Sequence, residues 1–199
     1  YFDNAATTHK PRVVIDKISD FYGSSNSNIH RSAHGMGASA TEQYESVRSV
    51  VQDFLSAESA EEIVFTSGAT DSINLVAHSF GKNFISAGDV ILVSPIEHHS
   101  NLIPWQMLAK EKNAIIQEIP INQDLTVNLK KLKSLLNSSV KLLAINHVSN
   151  VTGDVQNIKG VVGQARLFNI PVFVDGAQAA AHINIDVVDF FVKFWIVGA

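Results

Sequence analysis

From residue 62 onward, short apolar runs alternate with stretches of helical spacing. Residues 62–67, 89–95, 114–121, 140–148, 171–176 and 189–197 read as strands. Residues 68–84, 102–113, 128–137 and 158–169 read as the helices between them. The strand segments are dense in Val, Ile and Leu on both faces, the pattern of a sheet covered on both sides. This alternation predicts an α/β fold, a three-layer sandwich around a mostly parallel sheet. Upstream, residues 24–41 are rich in Ser, Asn and Gly and read as an irregular loop. Thr41 is expected to cap a helix over 42–57, where Tyr44, Val47, Val51, Phe54 and Leu55 recur at helical spacing. The change of pattern divides the chain into residues 1–60 and 61–199.

Sheets of this type bind ligands at the carboxyl ends of their strands. Polar clusters are expected there: Ser67 to Thr70, Glu97 to His99, Asn146 to Asn150, and Asp175 to Gln178. The turn "TSGATDS" offers backbone N–H groups and the positive end of a helix, a site for one phosphate or an ordinary helix cap. It carries neither the Gly-Lys-Ser/Thr of a nucleotide-binding loop nor G-x-G-x-x-G. His98 and His99 follow a strand directly, where an imidazole can stack on a planar ring and pass protons. A metal site would need further ligands at fixed spacing, so none is expected. Asp175 ends the apolar run "VFVD", where an acid needs a partner such as a protonated ring nitrogen. A phosphate site, a stacking ring and an acid for a pyridine nitrogen together describe a pocket for pyridoxal 5′-phosphate (PLP) better than one for a nucleotide.

Composition narrows the classes. The chain is 46% hydrophobic and 17% charged, the balance of a globular protein. A formal charge of -4 gives no reason to expect nucleic acid or an acidic membrane as partner. The chain has no run long and apolar enough for a membrane span and no signal-peptide layout at its start, so a cytoplasmic location is expected. It has no cysteine, which excludes disulfides and any thiol chemistry by its own residues. It starts on Tyr1 and stops on Gly198-Ala199 after an apolar run, and is therefore expected to be part of a longer protein.

The blocks "YFDNAATTHKP", "NIHRSAHGMGASATEQYE", "EEIVFTSGATDSINLVAHS", "EHHSNLIPWQML", "INHVSNVTG" and "VDGAQAAAHINIDVVDFFV" resemble class V aminotransferases of fold type I. They are most similar to the cysteine desulfurases that mobilise sulfur for iron–sulfur clusters, with a selenocysteine-lyase-like flavour in "EHHSNLIPWQ" and "HVSNVTG". The resemblance spans nearly all of residues 1–192. It implies an incomplete PLP-binding large domain over 61–199, with residues 1–60 supplying small-domain and interface elements. It implies that Ala69 and Thr70 hold the PLP phosphate and that His98 stacks on the ring and relays protons. By the same resemblance Asn150 contacts the cofactor's 3′-oxygen region or the substrate, Asp175 pairs with the ring nitrogen, and Gln178 bonds the phenolic oxygen. His30 would border the substrate entrance. The implied substrate is L-cysteine or selenocysteine, in a homodimer with a sulfur-acceptor protein as a further partner.

After "DFFV" the chain departs from the family pattern. Relatives continue with a Ser-Gly-His-Lys-like block whose lysine bonds the cofactor covalently, whereas this chain reads "KFWIVGA". Lys193 comes too early for that role by the family spacing and is expected to point away from the pocket. The cysteine of the desulfurase reaction is also absent. The chain alone is expected to be inactive. A degenerate, non-catalytic remnant and another class V enzyme, such as a kynureninase-like hydrolase or an aminotransferase for small amino acids, are the alternatives.

Overall fold

A computed structural model describes residues 1–2, 7–31, 33–190 and 192–198. The chain divides into two compact units, Tyr1–Asp53 and Phe54–Ala199.

The first unit is helical. Helix α1 (Arg12–Asp20) starts after Pro11, whose fixed φ suits a helix start and whose carbonyl accepts from Val14 and Ile15 N–H. One π-helical turn, Phe21–Ser25, extends it. Helix α2 (Gly35–Leu55) then begins inside the stretch expected as loop. The cause is His34: its Nδ1 accepts from Gly37 N–H at 3.2 Å and its carbonyl accepts from Ala38 N–H. Thr41, expected as the cap, lies within the helix instead, and its hydroxyl donates to the Gly37 carbonyl at 2.8 Å.

The second unit opens with a 3-10 turn, Ala60–Glu62, capped by the Ser59 hydroxyl. Residues 63–66 follow as an extended segment that is not a strand, contrary to expectation. Val64 and Phe65 are exposed there, so this apolar run is not sandwiched between layers. A run of this length fits a strand or a lone extended segment equally well. Helix α3 (Ala69–Val76) continues through a π-helical turn, Ala77–Gly81, into α4 (Lys82–Phe84). The chain then alternates: β1 (Val90–Val93), α5 (Ile103–Lys112), β2 (Ile115–Glu118), α6 (Leu129–Leu135), β3 (Val140–Asn146), α7 (Ile158–Arg166) and β4 (Val172–Asp175). The expected strand over 189–197 is shorter than its apolar pattern. Helix α8 (Val187–Phe190) takes its start because Asp186 Oδ1 accepts from Asp189 N–H at 2.7 Å, and β5 is Phe194–Ile196.

The five strands lie in the order β2-β1-β3-β4-β5, every neighbouring pair parallel. Side chains alternate between two cores. Leu92, Leu143, Ile145 and Val174 pack with Leu132 of α6 and Ile158, Val161 and Val162 of α7. Ile91, Val93, Leu142, Ala144 and Phe173 pack with Ile73 of α3 and Trp105 and Leu108 of α5. The three-layer α/β sandwich read from the sequence is therefore the architecture found. Each fully buried Leu, Ile or Phe contributes about 1.5–3 kcal/mol, and the two cores make the sheet the rigid part of this unit. From β1 the chain continues to β2 on one side, while β3 lies on the other. That reversal opens a crevice at the carboxyl ends of β1 and β3, where such sheets hold their ligands.

Candidate active site

An open cleft of about 560 Å³ lies at this edge, within the second unit. Its size is that of a cofactor or small-ligand pocket. Four segments line it: residues 67–71 at the start of α3, His98 and Ser100 after β1, Asn146 to Asn150 after β3, and Asp175 to Gln178 after β4. The cleft thus brings together Ala69, Thr70, His98, Asn150, Asp175 and Gln178. His30 belongs to the first unit. There its ring lies edge-on to Tyr44, and Nε2 stands 3.3 Å from the Glu45 carboxylate.

One wall is the amino end of α3. Gly68 precedes it with φ +141, a conformation that favours glycine, and among the described residues no side chain caps the first amides of the helix. Asp71, in the first turn, turns its carboxylate back to Ser67 N–H at 3.0 Å. The Thr66 hydroxyl bonds Ser72 Oγ at 2.7 Å and bridges back to Gly68, which fixes the turn. An uncapped helix start of this kind suits an anion.

The opposite side is set by strand ends. Asp175 is 7% exposed, and its Oδ1 accepts from Ala177 N–H at 3.0 Å. Burial pushes its carboxyl above the usual range, against the Ala177 hydrogen bond and the nearby His98. Such an acid favours a cationic partner. His98 is exposed to the cleft, and its ring is held by its own turn: Nδ1 accepts from Ser100 N–H at 3.1 Å and lies 2.7 Å from Ser100 Oγ. Because a backbone N–H only donates, Nδ1 carries the lone pair and Nε2 the proton. Asn146 is 4% exposed; its Nδ2 donates to the Ile96 carbonyl at 2.9 Å, while its Oδ1 has no hydrogen-bond partner among the described residues. A buried acceptor left open at a cleft is a place for a ligand's donor.

Glu97, next to His98, accepts from the N–H of the cleft residue Asn146 at 2.7 Å. Burial pushes its carboxyl up to about 7, against hydrogen bonds from Asn101, Asn146 N–H and Ser94. The sequence reading placed Glu97 only among adjacent residues after a strand and missed its link to Asn146, 49 positions away. The signal available was Asn101 and Trp105 at helical spacing from Glu97, in register for one hydrogen-bonded row. Among the described residues no group of three His, Cys, Asp or Glu stands close enough to hold a metal ion. No helix among them is long and apolar enough to cross a membrane.

Lys193 is exposed, and its N–H donates to the Val172 carbonyl at the amino end of β4. Asp175 pairs instead with Ile196. Three residues of strand, about 10 Å, separate the level of Lys193 from that of the acid. Gly198 comes close to the site: a Cβ there would lie 3.2 Å from Ala177 Cβ and 3.7 Å from Ala69 Cβ.

The family model for class-V aminotransferases matches residues 1–199. A cysteine desulfurase of Serratia proteamaculans is 44% identical over 196 residues, 98% of this chain and 48% of that protein. Among solved structures, the apo cysteine desulfurase of Thermococcus onnurineus NA1 superposes with a TM-score of 0.92 at 34% identity, covering 98% of this chain and 48% of that one. SspA, solved in complex with cysteine, gives a TM-score of 0.91 at 26% identity, covering 100% of this chain and 56% of the other. The chain spans about half the length of these relatives. The parallel sheet, the helix start facing its carboxyl edge and the match over the whole chain agree with the large domain of fold type I PLP enzymes, and the chain belongs to the class-V aminotransferase family.

Proposed function

We propose that this chain is the PLP-binding portion of a cysteine desulfurase-type enzyme, acting on L-cysteine or a close analogue. The observation that carries the reading is Asp175: a buried acid with a raised pKa, at the carboxyl end of β4, in the same cleft as the uncapped start of α3. These residues fit the cofactor. The α3 amides, with Ala69 and Thr70, hold a phosphate by dipole and N–H donation. Asp175 holds a proton on the ring nitrogen, and this pairing relieves the cost of burying the acid. His98 would stand against the ring, with Nε2, left free by the Ser100 N–H bond to Nδ1, as the atom that would hold or move a proton there. Gln178 bonds the phenolic oxygen, and Asn150 serves that side of the ring or the substrate. PLP, when bound, supplies an electron sink for cleavage at the amino acid.

The chain has no cysteine, so any thiol step takes its nucleophile from elsewhere. Lys193 lies away from the cleft. The 199 residues alone are accordingly a binding module that does not turn over cysteine. A second family chain is the expected partner, supported by the exposed apolar Val13, Ile18 and Tyr22 of the first unit.

The test uses pyridoxine 5′-phosphate, which lacks the aldehyde and so cannot label surface lysines. Titrated into the chain, it should quench the intrinsic fluorescence saturably. Asp175→Ala should weaken binding about tenfold or more, and Lys193→Ala should leave it unchanged. A chain that does not bind, or binds equally after Asp175→Ala, contradicts the reading.

A further inference from the structure

The crevice between the ends of β1 and β3 contains a row of hydrogen bonds with a fixed polarity. Trp105 Nε1–H, from α5, donates to Asn101 Oδ1 at 2.9 Å. Asn101 Nδ2 donates to Glu97 Oε2 at 2.6 Å. From the other side, the Asn146 backbone N–H at the end of β3 donates to Glu97 Oε1 at 2.7 Å. An indole N–H and a backbone N–H can only donate. Both ends of the row are therefore donors, and the Asn101 amide passes one donor on. The side chain between them has to accept at both oxygens. A carboxylate does so, whereas a carboxamide sets an N–H against one of the two donors. Flipping Asn101 does not help, because its NH₂ would then meet the Trp105 indole N–H.

This row ties together the parts that carry the site. His98 directly follows Glu97. Asn146 is held to the same segment a second time, through Nδ2 and the Ile96 carbonyl. One residue further, His147 N–H donates to the Asp175 carbonyl at 2.9 Å. Trp105 is fully buried and packs edge-on against Phe173 of β4, with ring centroids 5.1 Å apart. The row is thus anchored in the core at one end and, at the other, at the end of β3, where Asn146 pairs with Asp175 of β4.

We propose that Glu97 is the positioning residue of this site: its carboxylate locks the loop bearing His98 onto the end of β3, and through β3 onto Asp175. The ligand part of this statement rests on the PLP reading, while the hydrogen-bond polarity stands without it. The charged group that faces Glu97 across the crevice is Asp175, a like charge; the other groups on it, Asn101, Asn146 and Ser94, are neutral. Two neighbouring acids are tolerated because one is satisfied inside the row and the other is left for the ligand.

Three variants test the proposal by polarity. Glu97→Gln sets its N–H against one of the two donors, and Asn101→Asp sets a second carboxylate against the first. The double variant Glu97→Gln/Asn101→Asp moves the charge one place along and restores every donor–acceptor pair. Two readouts are taken on each chain at pH 8, where the Glu97 carboxyl is ionised: the ¹H–¹⁵N resonances of the Asn146 amide and the Trp105 indole without ligand, and the affinity for pyridoxine 5′-phosphate. Each single variant should displace both resonances and weaken binding about tenfold or more, and the double variant should return both resonances and affinity towards the wild type. Wild-type behaviour of Glu97→Gln overturns the proposal, as does a double variant no better than the singles. If Glu97→Gln does not fold, a folded double variant supports the proposal, and a double variant that also fails to fold overturns it. If the wild-type chain binds no pyridoxine 5′-phosphate, the PLP reading falls and the resonances alone decide the role of Glu97: displacement in the singles with return in the double supports it, and any other pattern overturns it.

Discussion

The Glu97 carboxyl makes a sharp prediction about stability and pH. Its ordinary value of 4.5 is raised to about 7 in the fold, with burial as the main cause. Below 4.5 the group is protonated whether the chain is folded or not, and burial of the ion costs nothing. Between 4.5 and 7 the folded chain holds a proton that the unfolded chain has released, so stability falls as pH rises. Above 7 the whole cost is present. At 1.36 kcal/mol per pH unit, the interval from 4.5 to about 7 amounts to about 3 kcal/mol. Asp175, also raised by burial, pushes in the same direction, while His147, lowered by burial, makes stability fall on acidification. His147 is shared with Glu97→Gln and cancels in the comparison, while the repulsion between Asp175 and Glu97 is a smaller part of the difference itself. Urea unfolding of the two chains at several pH values from 4.5 to 8 is the assay. The difference in unfolding free energy, wild type minus variant, should drop by about 3 kcal/mol across the window. Parallel profiles would refute the reasoning, because they would mean that the carboxyl titrates alike in both states.

Two further outcomes follow from packing and capping. Gly176→Ala would drive a Cβ into the Trp195 indole and to 2.9 Å from the Ile196 carbonyl, so it should destabilise by about 1–3 kcal/mol or more in urea unfolding; an unchanged midpoint would contradict the close approach of β4 and β5. Asn157→Ala removes the side chain that accepts from Gly160 N–H at 2.9 Å at the start of α7, and should lower the urea midpoint by the equivalent of about 1 kcal/mol, a loss that Asn157→Asp should largely avoid.

The sheet was legible because β1, β3 and β4 are mostly apolar runs between helical stretches, interrupted only by Lys141 and ending on Asn146 and Asp175 in β3 and β4, and that signal survives without tertiary information. The polar clusters were legible for a related reason: in parallel sheets, residues just after strands meet at one edge. Segment 63–66 misled because periodicity does not report whether an extended run has layers on both sides. The early start of α2 was hidden because its cap is a histidine in a Ser- and Asn-rich stretch, and α8 because Asp186 caps a helix inside an apolar run. Helix α1 was not anticipated at all; its residues are exposed in this chain, so burial adds nothing to a weak local pattern. The Glu97 row was invisible for a different reason. Its decisive bond joins residues 49 positions apart, and its meaning lies in donor polarity, which no one-dimensional pattern carries.

Whether the edge formed by α3, β1, β3 and β4 is a PLP site is decided by seeing the ligand there. The most direct test is diffraction from crystals of the chain grown with PLP or pyridoxine 5′-phosphate. Density for the phosphate is expected at the amino end of α3, with the ring between His98 and Asp175 and its nitrogen facing that acid. Density for the ligand elsewhere, or only solvent in this cleft at saturating ligand, would contradict it.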